Sequence, residues 1–180
     1  MGRIWKHFKT ITYHKYLVAQ GCFQVGLYRQ GLLHDLSKYS PSEFWVGVRY
    51  FQGDRSPNNA EREDIGYSSA WLHHKGRNKH HYEYWNDYSC DPKAAGSIVP
   101  VPMPDRYIAE MIMDRIAACK VYRGKDYTDA DPLNYYYRGT DKAPLHDATR
   151  EKLERMLRLL AQKGEKETFR CIRRELVRGK

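Results

Sequence analysis

The chain lacks several things that would place it in a familiar class. No uncharged apolar run approaches the roughly 18 to 20 residues that a bilayer-spanning helix needs. Arg3, Lys6, Lys9 and Lys15 interrupt the N-terminal stretch, so there is no signal-peptide core. Gly2 is followed by Lys6 where a myristoylation signal wants Ser or Thr. These absences predict a soluble, cytoplasmic protein with no membrane partner. The four cysteines, Cys22, Cys90, Cys119 and Cys171, are far apart and include no CxxC pair, which predicts reduced thiols rather than a disulfide framework. Repeats and low-complexity tracts are missing. Period-two alternation is weak and confined to the neighbourhood of Ser97 to Val101, which argues against a β-rich fold. Acidic residues are also in deficit, 22 against 31 Lys plus Arg, for a net charge of +9. That surplus suits a phosphate-bearing partner without saying which one.

What is present reads as helix. The 180 residues are the size of one domain, and 41% hydrophobic content is enough for a core. Apolar residues recur at helical spacing from about 10 to 29, with a break expected at Gly31. A short segment, Leu32 to Tyr39, leads to Ser40-Pro41-Ser42-Glu43, which combines a capping serine, a proline at the first helical position and a glutamate at the third. The helix that starts there should run to about Phe51. Another is expected from about Asn58 to Lys75, closed by Gly76, then a short aromatic helix around His80 to Trp85. Residues 87 to 104, rich in proline, read as a loop and a candidate lid. The most apolar helix is predicted from Pro104 to about Tyr122, followed by a tyrosine-rich piece from Asp131 to Arg138. Two further helices are expected, about Asp147 to Gln162 and about Glu165 to Val177. The expectation is an all-α, single-domain helical bundle over 1–180, with its core at about 10–122 and a C-terminal helical extension at about 130–178.

Asp114 is the first residue that calls for chemistry. It sits mid-helix in Met111-Ile112-Met113-Asp114-Arg115-Ile116, where a lone buried carboxylate would be costly. Compensation could come from an ion pair with Arg115 or Arg106, or from a bound metal ion. The histidines weigh toward the metal. Six of the eight are His14, His34, His73, His74, His80 and His81, mostly on predicted helices, and neutral imidazoles with carboxylates from separate helices make a divalent-metal site. His34 and Asp35 are adjacent in a helix-like segment, about 100° apart around the axis, so one dipeptide can offer two ligands.

His14, His34-Asp35 and Asp114, in that order, resemble the H…HD…D signature of the HD-domain superfamily of metal-dependent phosphohydrolases, over roughly residues 10 to 122. His34-Asp35-Leu36-Ser37-Lys38 is similar to the HDxxK variant of that superfamily. A second His-Asp pair, His146-Asp147, reads instead as a helix start with Asp147 near the N-cap. The resemblance implies a helical bundle of HD type, with His14, His34, Asp35 and Asp114 as metal ligands and Lys38 pointing into the site. The segment from Trp71 to His81 resembles the additional histidines with which some HD proteins hold a second metal. The two doublets are seven residues apart, about 10 Å of rise on a straight helix, so they can share an ion only if the chain bends, and Gly76 offers the bend. One histidine of each doublet can then face inward, and His74 and His80 are the preferred pair; the alternative is that these histidines orient the fold or donate protons to substrate.

Other residues complete the picture. Lys75 and Arg77, with Lys79 beside them, could cradle phosphate oxygens or form a plain solvated turn. Glu110, one turn before Asp114, could steady a ligating histidine or be an ordinary helix glutamate. Tyr82, Tyr84, Trp85, Tyr88 and Tyr135 to Tyr137 could wall a pocket, although packing is the commoner use of such residues. The expected activity is hydrolysis of a phosphate ester, a nucleotide or related small molecule, by metal-activated water. Asp35 and Lys38 would be the catalytic residues, and Lys38, Lys75 and Arg77 the substrate-binding ones. The cofactor would be one or two divalent ions per chain, Mn, Fe, Co, Ni, Zn or Mg. Two alternatives remain: a di-iron oxygenase on the same ligands, and a non-enzymatic basic module that binds nucleotide or RNA.

Overall fold

The computed structural model describes residues 2–138 and 143–179. It is mostly helical, 72% helix against 3% strand, so the all-α expectation holds. Eight α-helices follow in order: α1 (Arg3–Val25), α2 (Tyr28–Leu33), α3 (Pro41–Tyr50), α4 (Pro57–Ile65), α5 (Ser69–Lys75), α6 (Asp105–Arg123), α7 (Asp131–Tyr137) and α8 (Asp147–Ile172). None of the described helices is long and apolar enough to cross a membrane.

The centre is α1 packed on α6, with α8 closing the apolar side. On α1 the buried residues His7, Ile11, His14, Val18, Cys22 and Val25 fall at intervals of three to four, one stripe of the helix. Its C-terminal half is apolar and joins Ile108, Ile112, Met113, Leu153, Leu157, Leu160 and Ile172 in the core. Its N-terminal half carries histidines instead. The same stripe thus passes from oil to ligand along its length, and that passage positions the site. Close approach matters at two glycines. A Cβ on Gly21 would meet the Met113 sulfur at 2.7 Å, and one on Gly47 would run into the His7 ring, so α3 lies directly against the histidine end of α1.

Several boundaries differ from those expected. The first helix begins earlier and ends at Gly26, which takes the left-handed conformation (φ 92°) that glycine adopts without strain, so the break precedes Gly31. Gly31 itself is buried inside α2. The helix expected from Asn58 to Lys75 is two, α4 and α5, divided at Gly66 (φ 83°). Tyr82–Tyr84 form a single 3-10 turn. The predicted loop contains a short antiparallel hairpin, β1 (Asn86–Tyr88) with β2 (Ile98–Pro100), in the register Asp87 opposite Val99. The last two expected helices are present as the two segments of α8, which kinks at the non-helical Gly164 (φ 78°, ψ 175°) in the expected gap.

Two caps are also informative. Ser40 is the N-cap of α3 and Pro41 follows it, but the serine side chain makes no capping hydrogen bond, and Glu43 does not reach back to it. His146, rather than Asp147, is the N-cap of α8, with its Nδ1 accepting from the Ala148 N–H at 3.2 Å. The second His-Asp pair is therefore a helix start, as read.

Candidate metal centre

His34 and Asp35 do not lie in a helix. They fill the junction between α2 and the 3-10 turn Leu36–Tyr39, where Asp35 has φ 54° and ψ 26°. Asp35 is the one non-glycine residue with positive φ among the described residues. Such a conformation is costly for most side chains and tolerated best by Asn and Asp. Here it turns a 1% exposed carboxylate into a ring of histidines.

The two carboxylate oxygens face different groups. Oδ2 lies 3.2 Å from His34 Nε2, 3.6 Å from His14 Nε2 and 2.5 Å from Lys38 Nζ. Oδ1 lies 3.2 Å from His74 Nε2 and 3.4 Å from His80 Nε2. Asp114 completes the first group, with Oδ1 at 2.9 Å from His14 Nε2 and 3.5 Å from His34 Nε2. Among the described residues no arginine pairs with Asp114. Neither Arg115 nor Arg106 comes within 4.0 Å of it; Arg106 lies over the Tyr107 ring instead.

Among the described residues three sets of potential ligand atoms result, each within 4.8 Å of one another: His14, His34, Asp35 and Asp114; Asp35, His74, His80 and His81; and His34, His80 and Glu110. Asp35 belongs to the first two. α5 ends at Gly76, whose own dihedrals stay helical (φ −73°, ψ −13°), and the turn beyond it brings His80 and His81 back toward His74. The limit of one inward histidine per doublet does not hold, because His81 joins His80 in the second set. His73 alone is diverted, with its Nδ1 at 2.6 Å from Glu43 Oε1.

The hydrogen-bonding pattern tests whether a cation fits. His14, His34, His74 and His80 each have a buried Nε2 without a hydrogen-bond partner, and neither oxygen of Asp35 makes an aligned hydrogen bond, Oδ2 having only its ion pair with Lys38. They face one another across short gaps without hydrogen-bond alignment. Orphaned buried polar atoms are rare and costly, and a cation between them would satisfy all six. The opposite ring nitrogens are spoken for. Glu110 Oε1 accepts from His34 Nδ1 at 3.0 Å and faces His80 Nδ1 at 3.2 Å, while Glu43 Oε2 accepts from His74 Nδ1 at 2.8 Å. An ionised carboxylate can only accept, so each of these Nδ1 atoms carries the hydrogen and each Nε2 keeps its lone pair aimed inward. The residues present therefore fit one or two divalent ions. Glu110 is 5% exposed and Glu43 is 6% exposed, so neither is an ordinary surface glutamate.

The electrostatics agree with that balance. Burial opposes charge on Asp35, but the neighbouring His34, Lys38 and His74 prevail and hold its carboxyl well below the usual range. Asp114 behaves likewise, with burial outweighed by His14 and His34. Burial also acts against protonated His34 and His74, yet Asp35 and the further carboxylates around each raise both above 6.5 without a metal. Protons and metal ions thus compete for the same nitrogens.

Lys38 sits where expected, partly exposed at the edge of a cavity of about 710 Å³ that His14, His74 and Asp114 also line. Lys75 and Arg77 do not line that cavity. Arg77 is exposed and donates to the His73 carbonyl at 3.3 Å, so the basic turn is a helix-end feature. Tyr82, Tyr135 and Tyr136 form part of the cavity wall, Tyr135 at its exposed rim, whereas Tyr84 and Tyr88 are exposed away from it. Two residues escaped the sequence reading. Glu43 reads as a capping glutamate and is instead a histidine support. His7 lines the cavity two turns before His14 on the same stripe of α1, and burial, helped by Lys38, holds it down to about 4.

Residues 3–159 match the model of a family of unknown function (DUF5662). The chain belongs to that family. No curated protein and no solved structure matches it. The match takes in every residue of this DUF5662 centre, from His14 to Asp114, together with Glu43 and Glu110.

Removing a carboxylate that steadies a ligating histidine costs about ten- to a hundredfold in metal affinity. Glu110→Gln should show the upper end, because it releases His34 and His80 together, and Glu43→Gln the lower. Competition with a coloured chelator measures both. Affinity unchanged in Glu110→Gln would mean that the ring orientation is set elsewhere.

Proposed function

We propose that the protein is a metal-dependent phosphohydrolase of HD type, acting on a phosphate ester of a nucleotide or a related small molecule. The observation that carries the reading is the set of inward-aimed, unpartnered Nε2 atoms around Asp35, backed by Glu43 and Glu110. A divalent cation held there supplies polarisation of a phosphoryl oxygen and a water acidic enough to ionise near neutral pH. His14, His34, Asp35 and Asp114 hold the first ion, and His74, His80 and His81 with Asp35 a second. Lys38 stands beside Asp35 at the cavity and offers its ammonium to phosphoryl oxygens as negative charge grows on them. Asp114, open to the cavity along 17% of its side chain, is placed to accept a hydrogen bond from water at the same face. The site requires no covalent intermediate on the chain.

A screen of phosphate esters, including p-nitrophenyl phosphate and the nucleoside monophosphates, with Mn²⁺, Co²⁺, Ni²⁺ and Mg²⁺, tests the reading alongside elemental analysis. Bound metal and metal-dependent release of phosphate are the expected results. The sharing of Asp35 by two ligand sets favours one other reading, a di-iron oxygenase. Two tightly held irons per chain with no phosphate release from any ester would select it.

A further inference from the structure

The cavity over Asp35 and Asp114 continues along α6 toward α7, away from the ligating histidines. Among the described residues five cationic side chains line it: Lys38, Arg55, Arg115, Arg123 and Arg138. Three are neutralised within the fold. Lys38 pairs with Asp35 at 2.5 Å, Arg55 grips Glu63 through two bonds of 2.7 and 2.6 Å, and Arg123 pairs with Asp131 at 3.0 Å. Arg138 is exposed at the rim.

Arg115 differs from all of them. It is partly buried, and no carboxylate among the described residues comes within 4.0 Å of its guanidinium. Glu83 shares the cavity wall and still lies outside that distance. The contacts of Arg115 are soft ones: Nη2 at 3.9 Å from the Met111 sulfur, and the guanidinium 5.9 Å from the centre of the Tyr136 ring. Its Nε is buried without a hydrogen-bond partner. Withdrawing a guanidinium from water without a counter-charge costs free energy, and a ligand anion would remove that cost. Arginine is suited to this by its planar fork of donors, which matches phosphate and carboxylate alike.

We propose that Arg115 binds an anionic group of the substrate, a phosphate or a carboxylate, distinct from the phosphoryl group that reacts at the metal centre. The proposal rests on the phosphohydrolase reading and narrows it. Arg115 follows Asp114 directly on α6 and projects about 100° further round the helix, so the two address the cavity on different bearings. The substrate is then a phosphate ester with a second anionic group, its middle lying along Tyr82 and Tyr135. A volume of about 710 Å³ is ample for such a molecule.

The test uses full-length protein stripped of metal with a chelator, titrated calorimetrically at low ionic strength with inorganic phosphate and, separately, with succinate. Wild-type protein is expected to bind at least one of them saturably. Arg115→Gln should weaken that binding about ten- to a hundredfold, the worth of a charge-assisted bond. Arg115→Lys should weaken it severalfold, because charge is kept and the fork is lost. Stronger binding of phosphate identifies the second group as phosphate, and of succinate as carboxylate. Should Arg115→Gln fail to fold, Arg115→Lys decides. Absence of saturable binding in the wild type, or wild-type affinity in the folded variants, overturns the proposal. Elemental analysis of protein before stripping reads the metal centre separately. Protein that never holds metal, yet loses phosphate binding with Arg115, would sink the phosphohydrolase reading and leave the anion site standing.

Discussion

Asp35→Asn should leave a folded protein that no longer retains metal and whose phosphate-ester hydrolysis has fallen by about a thousandfold or more. Asparagine is the substitution of choice because position 35 has φ 54°, which asparagine accepts about as readily as aspartate. The backbone turn therefore survives, and the change is confined to one oxygen and one charge. That charge is central, since Oδ2 faces His14 and His34 while Oδ1 faces His74 and His80. Both ligand sets fail together. The other His-Asp pair provides the control: Asp147→Asn lies at the start of α8, far from this chemistry in role, and should leave metal content untouched. Elemental analysis of the purified variants reads the outcome. Wild-type metal content in Asp35→Asn would remove Asp35 from the ligand set.

The second large effect is on stability, and its size depends on pH. In the metal-free protein, His34 and His74 titrate above their ordinary value of 6.5, so the stability they contribute is complete below pH 6.5 and is lost as pH rises through their folded values. Asp35 and Asp114 titrate below their ordinary 3.8, and Glu43 and Glu110 below 4.5, so their contribution is present above those values and lost as pH falls further. Metal-free protein should be most stable between about pH 4.5 and 6.5 on these contributions. A bound cation requires deprotonated Nε2 atoms, so its stabilisation grows with pH instead. At a thousandfold excess over Kd it amounts to about 4 kcal/mol, or about 8 to 16 °C in melting temperature for a chain of this size. Melting curves with and without Mn²⁺ at pH 8 and pH 5.5 check this. The gap should be wide at pH 8 and nearly closed at pH 5.5; an equal gap at both would mean that the histidines do not take part in binding.

The sequence made the helices legible because their apolar spacing is regular, and it placed α6 almost to the residue. It also pointed to Asp114 through its apolar neighbours, and to His14, His34, Asp35, His74 and His80 through the clustering of histidines and the resemblance to the HD signature, and the fold brings these side chains together. What it concealed has a common cause. Glu43 stands at the third position after a serine and a proline, where local physics calls for a cap, and only the packing of α3 on α5 shows that its carboxylate holds His73 and His74. His7 reads as one histidine among lysines until α3 closes over it at Gly47. Lys75 and Arg77 look attractive for their nearness in sequence to the histidines, yet neither lines the cavity, and Arg77 is turned out at the helix end. Arg115 and Asp114 are neighbours that read as partners, and the helix carries them apart. The bend at Asp35 was invisible as well, since no composition rule places an aspartate in a left-handed turn.

Glu110 holds two adjacent rings that arrive from different elements, His34 from the junction after α2 and His80 from the turn after α5. One rigid helix thereby acts as a common ruler for both. The placement of those two rings is therefore tied to α6, and a displacement of that helix would reach both at once.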